Sequence, residues 1–568
     1  MNYMKIYQDW INDPFFDEQI RAELCTLKDK GEIEDRFYCD LDFGTGGLRG
    51  VMGAGTNRMN RYTVAKATFG LGRYLLENYG SNSCKEHGAV ISFDTRNGSR
   101  LFAETVANVL SAMGIKAYLQ KNARPAPQLS FLIRHLGCIG GVMITASHNP
   151  KEYNGYKVYD PYGCQLVPRQ AKQLITYINK IDDYHVIPFQ GNNRLIEMID
   201  GTDAFVDAVL IQSRYQDKNA KANLSIVYTP LHGTGNTPVR KTLAMDGFAH
   251  VDVVPEQDNK NGDFPTVCCP NPEDRLALEL GIARAKRCGA DIVLGTDPDC
   301  DRVGIAVKDT DGSYHLMTGN QVGALLTDYV LRNTDLHRLS HPAIVKTVVT
   351  SELGIKIAQK YGLTVFSTLT GFKYIGEKIT QLERAKTEQD ACQDYDFVLG
   401  YEESYGYLVG THARDKDKDA VVSSMLICEM AAEAKQEGKT LLHRMRELYA
   451  EYGFYRDALD SFTFKGTEGL QHISSIMSAL RNGLSIFNDV TQVIDYSQPV
   501  EAEKGFGQLP TSNVLKYILS DGSWIAVRPS GTEPKIKLYY SVRAENEKAA
   551  EQRLRLIAKT IRAQLELN

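Results

Sequence analysis

The hexapeptide Asp297-Pro298-Asp299-Cys300-Asp301-Arg302 sets three carboxylates at alternate positions of a short loop. Carboxylates so crowded repel one another unless a cation sits among them. An all-oxygen donor set suits a hard ion, Mg²⁺ or Ca²⁺, rather than zinc. An EF-hand would need Gly at the sixth position and Glu at the twelfth, where Arg302 and Lys308 stand. A phosphatase nucleophile pair would use Asp-x-Asp after a strand, and a solvated acidic turn would serve no purpose; the third carboxylate favours a metal cage.

A second segment, Thr145-Ala146-Ser147-His148-Asn149-Pro150, ends the apolar run Cys138–Ile144 in small polar residues and a turn-forming Asn-Pro. At the carboxyl end of a sheet strand, where ligands bind, Ser147 could carry a phosphoryl group covalently. A plain strand-to-loop turn capped by His148 is the blander alternative. The segment Arg528-Pro529-Ser530-Gly531-Thr532-Glu533-Pro534 offers a guanidinium fork, two hydroxyls and a glycine that frees backbone N–H groups, a set that cradles phosphate. A hairpin turn would need only its Gly and Pro. In Gly400-Tyr401-Glu402-Glu403-Ser404-Tyr405-Gly406, carboxylates and a hydroxyl at a strand end suit sugar hydroxyls, or a solvated turn. Phe43–Gly50 is glycine-rich, but no Gly-Lys-Ser/Thr follows it, and Arg49 stands where a dinucleotide fingerprint needs its third Gly. It is either a loop that sets Arg49 against an anion or a structural turn.

The elements that position these loops alternate. Strands are predicted at Ala89–Phe93, Gly141–Thr145, Ser225–Tyr228, Asp291–Leu294, Ala343–Val349 and Phe397–Leu399. Helices are predicted between them, at Arg61–Glu77, Leu101–Met113, Thr237–Met245, Asp274–Arg287, Gln321–Asn333 and Leu353–Tyr361. This spacing predicts parallel sheets covered on both faces, in three successive blocks. The end differs: strands Trp524–Val527 and Lys535–Val542, then a charged helix over Glu545–Leu567, form an α+β block. Asp460–Pro510 reads as polar and irregular. The first forty residues read as a helical extension. The expected divisions are 1–200, 201–320, 321–455 and 456–568, carrying in turn the serine, acidic, Glu-Glu-Ser and Arg-Pro-Ser loops.

The 568 residues exceed one core. Lys+Arg 65 against Asp+Glu 70 leaves a net charge of −5, which argues against nucleic acid or a membrane surface as partner. The N-terminal stretch lacks a signal peptide's basic start and apolar run, and no stretch of eighteen apolar residues occurs. The 11 Cys include no Cys-x-x-Cys, and adjacent Cys268 and Cys269 are poorly placed for a structural disulfide, so a cytoplasmic protein with reduced thiols is expected.

Together, in this order and spacing, the four loops resemble those of the alpha-D-phosphohexomutase family, most closely its glucose-type phosphoglucomutase members, in a long branch that also includes phosphopentomutases. Asp94-Thr95-Arg96, Asn154-Gly155-Tyr156-Lys157, Thr229–Gly233, Pro270–Glu273 and Thr370-Gly371-Phe372-Lys373 are lesser echoes. The resemblance implies three similar doubly wound α/β domains plus a C-terminal α+β domain around a central cleft. It implies that Ser147 carries the phosphoryl group and that its phosphate, with Asp297, Asp299 and Asp301, holds one Mg²⁺, which neutralises charge on the transferring group. A hexose 1,6-bisphosphate forms, turns over and returns its other phosphate, so glucose 1,6-bisphosphate is the expected primer. Glu402 and Ser404 would hold sugar hydroxyls; Arg528, Ser530, Gly531 and Thr532 would hold the idle phosphate; Arg302, Thr370, Gly371 and Lys373 would line the same site. Lys157 is the first candidate for the general base, although a lysine beside phosphates better serves as an acid or clamp; His148 and Arg49 are the others.

Two features depart from the pattern. Gly406 is followed by Tyr407, not the His of mannose- and glucosamine-type relatives, so glucose is the favoured substrate. Arg414–Asp419 holds two Lys-Asp pairs where glucose-type members have one, so either Lys416 or Lys418 would meet the substrate. Mannose or ribose phosphates and a phosphatase acting with water are the alternatives; partners are small sugar phosphates.

Overall fold

The structure, a computed structural model, describes residues 2–44, 47–387, 394–410, 416–464, 466–484, 486–530 and 534–567. It divides into two compact units. One is Met1–Met317 with Gly406–Glu433; the other is Thr318–Tyr405 with Ala434–Asn568.

The first unit opens with helices Tyr3–Asn12, Glu18–Cys25 and Lys30–Phe37; Trp10 and Phe37 on them, and Phe16 in the turn between the first two, pack with Tyr62 in an aromatic cluster. The first sheet holds β1 (Phe43–Gly44), β2 (Gly47–Val51), β3 (Ala89–Phe93), β4 (Ala117–Gln120), β5 (Gly140–Ile144), β6 (Tyr153–Tyr159) and β7 (Ile196–Ile199), in the order β1-β2-β6-β5-β3-β4-β7. The second holds β8 (Ser225–Thr229), β9 (His250–Val253), β10 (Ile292–Thr296), β11 (Val303–Lys308) and β12 (Tyr314–Met317), in the order β12-β11-β10-β8-β9.

These sheets are mixed, not wholly parallel as the alternation predicts. β6 runs antiparallel to β5 and β2, and β11 antiparallel to β10 and β12. The loops entering β6 and β11 are too short for a helical crossover, so the chain must return as a hairpin. Both hairpin loops are motif loops. Residues 145–152, with Ser147, lead from β5 into β6, and residues 297–302, with the three aspartates, cap the pairing of Thr296 with Val303.

In the second unit, β13 (Pro342–Thr347) lies parallel to both β14 (Thr364–Thr368) and β15 (Asp396–Glu402). Their carboxyl ends therefore open on one edge, the edge at which α/β sheets bind ligands. The chain re-enters the first unit with β16 (Gly406–Val409) and most of helix Ala420–Gln436. The last sheet is antiparallel: β17 (Phe454–Thr463), β18 (Val490–Asp495), β21 (Leu515–Leu519), β22 (Trp524–Pro529) and β23 (Lys535–Ala544) in the order β17-β23-β22-β21-β18, with β19 (Val500–Glu501) and β20 (Gln508–Leu509) a separate small pair. Helix Glu547–Gln564 packs on it.

The segment 460–510 thus forms regular elements over its described residues, against the sequence expectation. Its helix Gly466–Arg481 buries Ile473, Ile476, Met477 and Leu480, a helical stripe with three-, four- and seven-residue spacings diluted by serines and polar neighbours. Among the described residues no helix is long and apolar enough to cross a membrane.

Candidate active site

Three adjacent strands of the first unit bring its candidate residues together. Arg49 on β2 is paired with Gly155 on β6, and Lys157 on β6 with Met143 on β5. Ser147 follows the end of β5 and takes a left-handed backbone, φ 52°, although it is not glycine. Such a conformation persists only where neighbours over-determine it. Here they do: the Ser147 N–H donates to Thr145 Oγ1 (2.8 Å), Thr145 Oγ1 donates to Asp94 Oδ2 (2.7 Å), and Ser99 Oγ donates to Asp94 Oδ1 (2.7 Å).

Arg96 completes the clamp. Its guanidinium donates to the carbonyl oxygens of Ser147 (2.6 Å), Asn149, Pro150 (2.8 Å) and Tyr153 (3.1 Å). It lies 3.3 Å from Asp94 Oδ2 and is buried with it. One fork therefore dictates the course of the whole loop. The sequence pointed to Asp94–Arg96 only as a minor echo; four carbonyls meeting one arginine carry no side-chain signature.

The Ser147 hydroxyl donates to Asp297 Oδ2 (2.9 Å) and lies 3.2 Å from His148 Nδ1. Asp297, Asp299 and Asp301 are buried, and one ligand atom from each lies within 4.8 Å of the others. Cys300 between them is again left-handed, φ 52°, which turns both flanking carboxylates inward. Asp297 Oδ1 accepts the N–H groups of Asp301 and Arg302 (both 3.0 Å). Among the described residues, no hydrogen-bond partner meets the buried Asp299 Oδ1 or Asp301 Oδ1. Orphaned carboxylate oxygens in an oxygen-only cluster fit a hard cation, so these three residues could hold a metal ion, with Ser147 Oγ on the same side.

Cations surround the triad. Lys157 Nζ lies 3.0 Å from Asp299 Oδ2 and 3.7 Å from Asp301 Oδ2; Lys418 Nζ lies 3.5 Å from Asp301 Oδ1. Burial works against the Lys157 ammonium, yet Asp299 and Asp301 raise its pKa overall, so it is held protonated. Burial and the charges of Arg302, Arg49 and Lys418 push the His148 imidazole well below its ordinary value. Arg302 pairs with Glu273 (2.5 Å), and exposed Arg49 donates to Asn149 Oδ1 (3.3 Å). Of the tandem lysines, Lys418 reaches the triad. Lys416 is buried, its backbone N–H donating to Ser130 Oγ (2.9 Å).

The second unit carries the other candidates. Glu402 closes β15 and is buried; Glu403 Oε2 accepts from Thr347 Oγ1 (3.1 Å), and Ser404 Oγ lies 3.5 Å from Glu403 Oε1. Tyr405 is left-handed, φ 60°. Burial, with Glu402 beside it, pushes the Glu403 carboxyl up to about 7. Thr370 and Gly371 (φ 119°) follow β14 and lead into helix Phe372–Thr387, which carries Lys373 in its first turn. Burial, and then the charge of Arg528, lower Lys373 to about 8. Arg528 on β22 reaches the Tyr539 hydroxyl at 3.5 Å, and the Ser530 N–H donates to Lys535 O (2.7 Å). Gly531 and Thr532 lie outside the described residues.

A serine hydroxyl set against a buried acidic triad, on mixed α/β sheets, defines the class of phosphoryl-transferring α/β enzymes. The sequence matches the phosphoglucomutase/phosphomannomutase alpha/beta/alpha domain I over residues 40–185, domain II over 203–312, domain III over 318–452 and the C-terminal domain over 482–559. The chain belongs to the phosphoglucomutase/phosphomannomutase family of the alpha-D-phosphohexomutases, which are intramolecular phosphotransferases. It is 35% identical over 556 residues to a phosphoglucomutase of Staphylococcus haemolyticus (strain JCSC1435), covering 96% of each chain, and 36% identical over 536 residues to that of Staphylococcus aureus (strain MSSA476), covering 91% and 92%. In fold it is similar to the phosphoglucomutase parafusin of Paramecium (TM-score 0.68, 16% identity, 93% of this chain and 96% of that one). It is also similar to a family protein of Burkholderia thailandensis (TM-score 0.68, 17% identity, 92% and 97%).

Proposed function

We propose that this chain interconverts α-D-glucose 1-phosphate and glucose 6-phosphate through a phosphorylated Ser147 and a glucose 1,6-bisphosphate intermediate, which also serves as primer. The observation that carries this reading is the Ser147 hydroxyl, 2.9 Å from Asp297 in a buried three-aspartate loop. The glucose preference is supported by the Glu-Glu-Ser-Tyr-Gly loop and by the likeness to the staphylococcal phosphoglucomutases.

In this reading Asp297, Asp299 and Asp301 would hold one Mg²⁺ together with the phosphate on Ser147, and the ion would supply charge neutralisation at the transferring group. Ser147 Oγ carries the phosphoryl group and gives it to a free sugar hydroxyl. Lys157, held protonated, steadies the phosphoryl oxygens and returns a proton to Ser147 Oγ as it leaves; His148, its imidazole kept neutral, accepts the proton of the attacking hydroxyl. Arg49, Arg302 and Lys418 balance the charge of the phosphates. Glu402 and Ser404 bind sugar hydroxyls in either orientation. Lys373, Arg528, Ser530, Gly531 and Thr532 hold the phosphate that is not reacting, with Thr370 and Gly371 shaping that loop and Lys416 bracing its neighbour. The domains proposed to carry these loops are 1–200, 201–320, 321–455 and 456–568, in a cytoplasmic enzyme.

The test is a coupled assay with Mg²⁺ and trace glucose 1,6-bisphosphate, comparing glucose 1-phosphate, mannose 1-phosphate and ribose 1-phosphate, with Ser147→Ala alongside. Glucose 6-phosphate formation that the variant loses by at least about 10³-fold supports the proposal. Faster turnover of ribose or mannose phosphate overturns the substrate, and release of free phosphate without isomerised sugar overturns the mutase in favour of a phosphatase.

A further inference from the structure

The phosphoserine loop is braced on one side by a segment of the same unit that none of this chemistry uses, Phe264–Cys269. The Arg96 guanidinium lies over the Phe264 ring, 5.0 Å from its centroid, while it holds the loop carbonyls. The Cys269 thiol donates to the His148 carbonyl oxygen (2.8 Å). Burial pushes that thiol up, which keeps it a protonated donor. The segment is pinned at several points. Phe264 is left-handed, φ 44°; Thr266 Oγ1 meets His232 Nε2 (3.0 Å) and accepts from Gln257 Nε2 (3.1 Å); the Asn271 N–H donates to Cys269 O (2.8 Å). The neighbour of Cys269 in the chain, Cys268, is exposed, and both are free thiols.

We propose that Cys268 and Cys269 form a dithiol site for thiophilic trivalent arsenicals, and that its occupation disables the phosphoserine loop. Thiols on two consecutive residues are soft donors joined by one peptide unit, a pair that can take up a soft, trivalent centre between them. The reaction with an arsine oxide is balanced without an oxidant: two S–H bonds break, two As–S bonds form, and the arsenic-bound oxygen leaves with both protons as water. Arsenic stays trivalent. Once bound to arsenic, the Cys269 sulfur has no proton to give His148 O, and the added bulk sits where the brace meets the loop. Among the described residues, the other exposed thiols, Cys25 and Cys288, have no cysteine beside them in the chain.

The loss of activity rests on the mutase proposal above, whereas binding does not, so the experiment reads both. The full-length enzyme is titrated with phenylarsine oxide, followed by intact mass, peptide mapping and the coupled assay, in parallel with Cys268→Ser and Cys269→Ser. One adduct per chain, mapped to the peptide holding both cysteines, is expected. Mutase turnover should fall in step with it and return with a dithiol but not with a monothiol. Cys268→Ser should keep its basal activity and need about tenfold or more reagent for the same inhibition. Cys269→Ser, whose hydroxyl preserves the bond to His148 O, should keep most activity and resist equally. An adduct elsewhere, inhibition of either variant at the same reagent concentration as the unsubstituted enzyme, or a full adduct with undiminished turnover overturns the proposal. An adduct at this peptide in a protein that shows no mutase turnover at all overturns the mutase reading instead.

Discussion

Replacing Arg96 by Lys keeps a cation beside Asp94 but removes the planar fork that spans four carbonyls. The loop then loses its path while its chemistry stays in place. The expected result for Arg96→Lys is a kcat lower by about 10²-fold with KM little changed, since misplacement of a reacting atom acts on the transfer step. A rise in KM at constant kcat would contradict this positioning role. Glu403 gives a pH signature. Its carboxyl is raised to about 7, so the proton is bound more tightly in the folded protein than in the unfolded chain. The associated stability is fully present below the ordinary carboxyl range and is lost as pH rises through about 7. Above that point Glu403 adds a negative charge to the loop, and KM for an anionic sugar phosphate should rise. Glu403→Gln should show a nearly flat KM over the same range.

At the scale of elements, the helix Gly319–Arg332 begins directly against the Glu-Glu-Ser loop. A Cβ at Gly319 would lie 2.1 Å from Glu403 O and 2.9 Å from Tyr405 N, both backbone atoms. Gly319→Ala should therefore displace the loop and cost about 1–3 kcal/mol by overpacking, read as a lower unfolding midpoint together with a raised KM. Strand β21 bears a second device. Lys516 is buried against Trp524 (4.2 Å to the ring centroid) and donates to Val348 O (2.8 Å), with Lys346 and Glu352 close by. Burial and the neighbouring Lys346 lower its pKa to about 7, below the unfolded value. Stability from this group is present above the ordinary lysine range and is lost as pH falls toward 7. Lys516→Met should flatten that slope in a series of thermal melts taken at rising pH. Much at this scale was legible in sequence. β3 stands as predicted, and β8, β10 and β13 lie within a residue or two, because β-branched runs between helical stripes leave few alternatives. The direction of β6 and β11 was not legible, since a hairpin return and a crossover share the same strand pattern until the loop length is weighed. The helix Gly466–Arg481 was hidden because its stripe of Ile473, Ile476, Met477 and Leu480 is diluted by polar neighbours and barely changes the composition of the segment.

Across the whole molecule the first unit is discontinuous, built from Met1–Met317 and Gly406–Glu433. The second piece is structural and chemical at once. Lys418 stands by Asp301, and Glu429 accepts from Lys221 Nζ (2.7 Å), Ser213 Oγ (2.5 Å) and the Arg214 N–H (2.9 Å). A fragment ending at Met317 would leave Lys221 with Asp246 and Ser213 but without Glu429, one of the two carboxylates that neutralise it. Such a fragment should melt well below the full chain or aggregate, and Glu429→Gln in the full chain should lower the melting temperature in the same direction; an unchanged melt in both would refute the role given to this segment. The side chains that cluster around Ser147 and Asp297–Asp301 were named from the sequence, but the support that Glu429 gives Ser213, Arg214 and Lys221 from 208 or more residues away was not, because a single buried Glu on a long helix resembles any other. The same discontinuity sets a schedule during synthesis. A ribosome working at roughly 5–20 residues per second spends about 4–18 s on residues 318–405 before the completing segment begins to emerge. Through that interval the nascent first unit waits with Lys221 lacking one of its two carboxylates, so the half-made chain passes through a window in which chaperone capture, or a pause in translation, decides its yield.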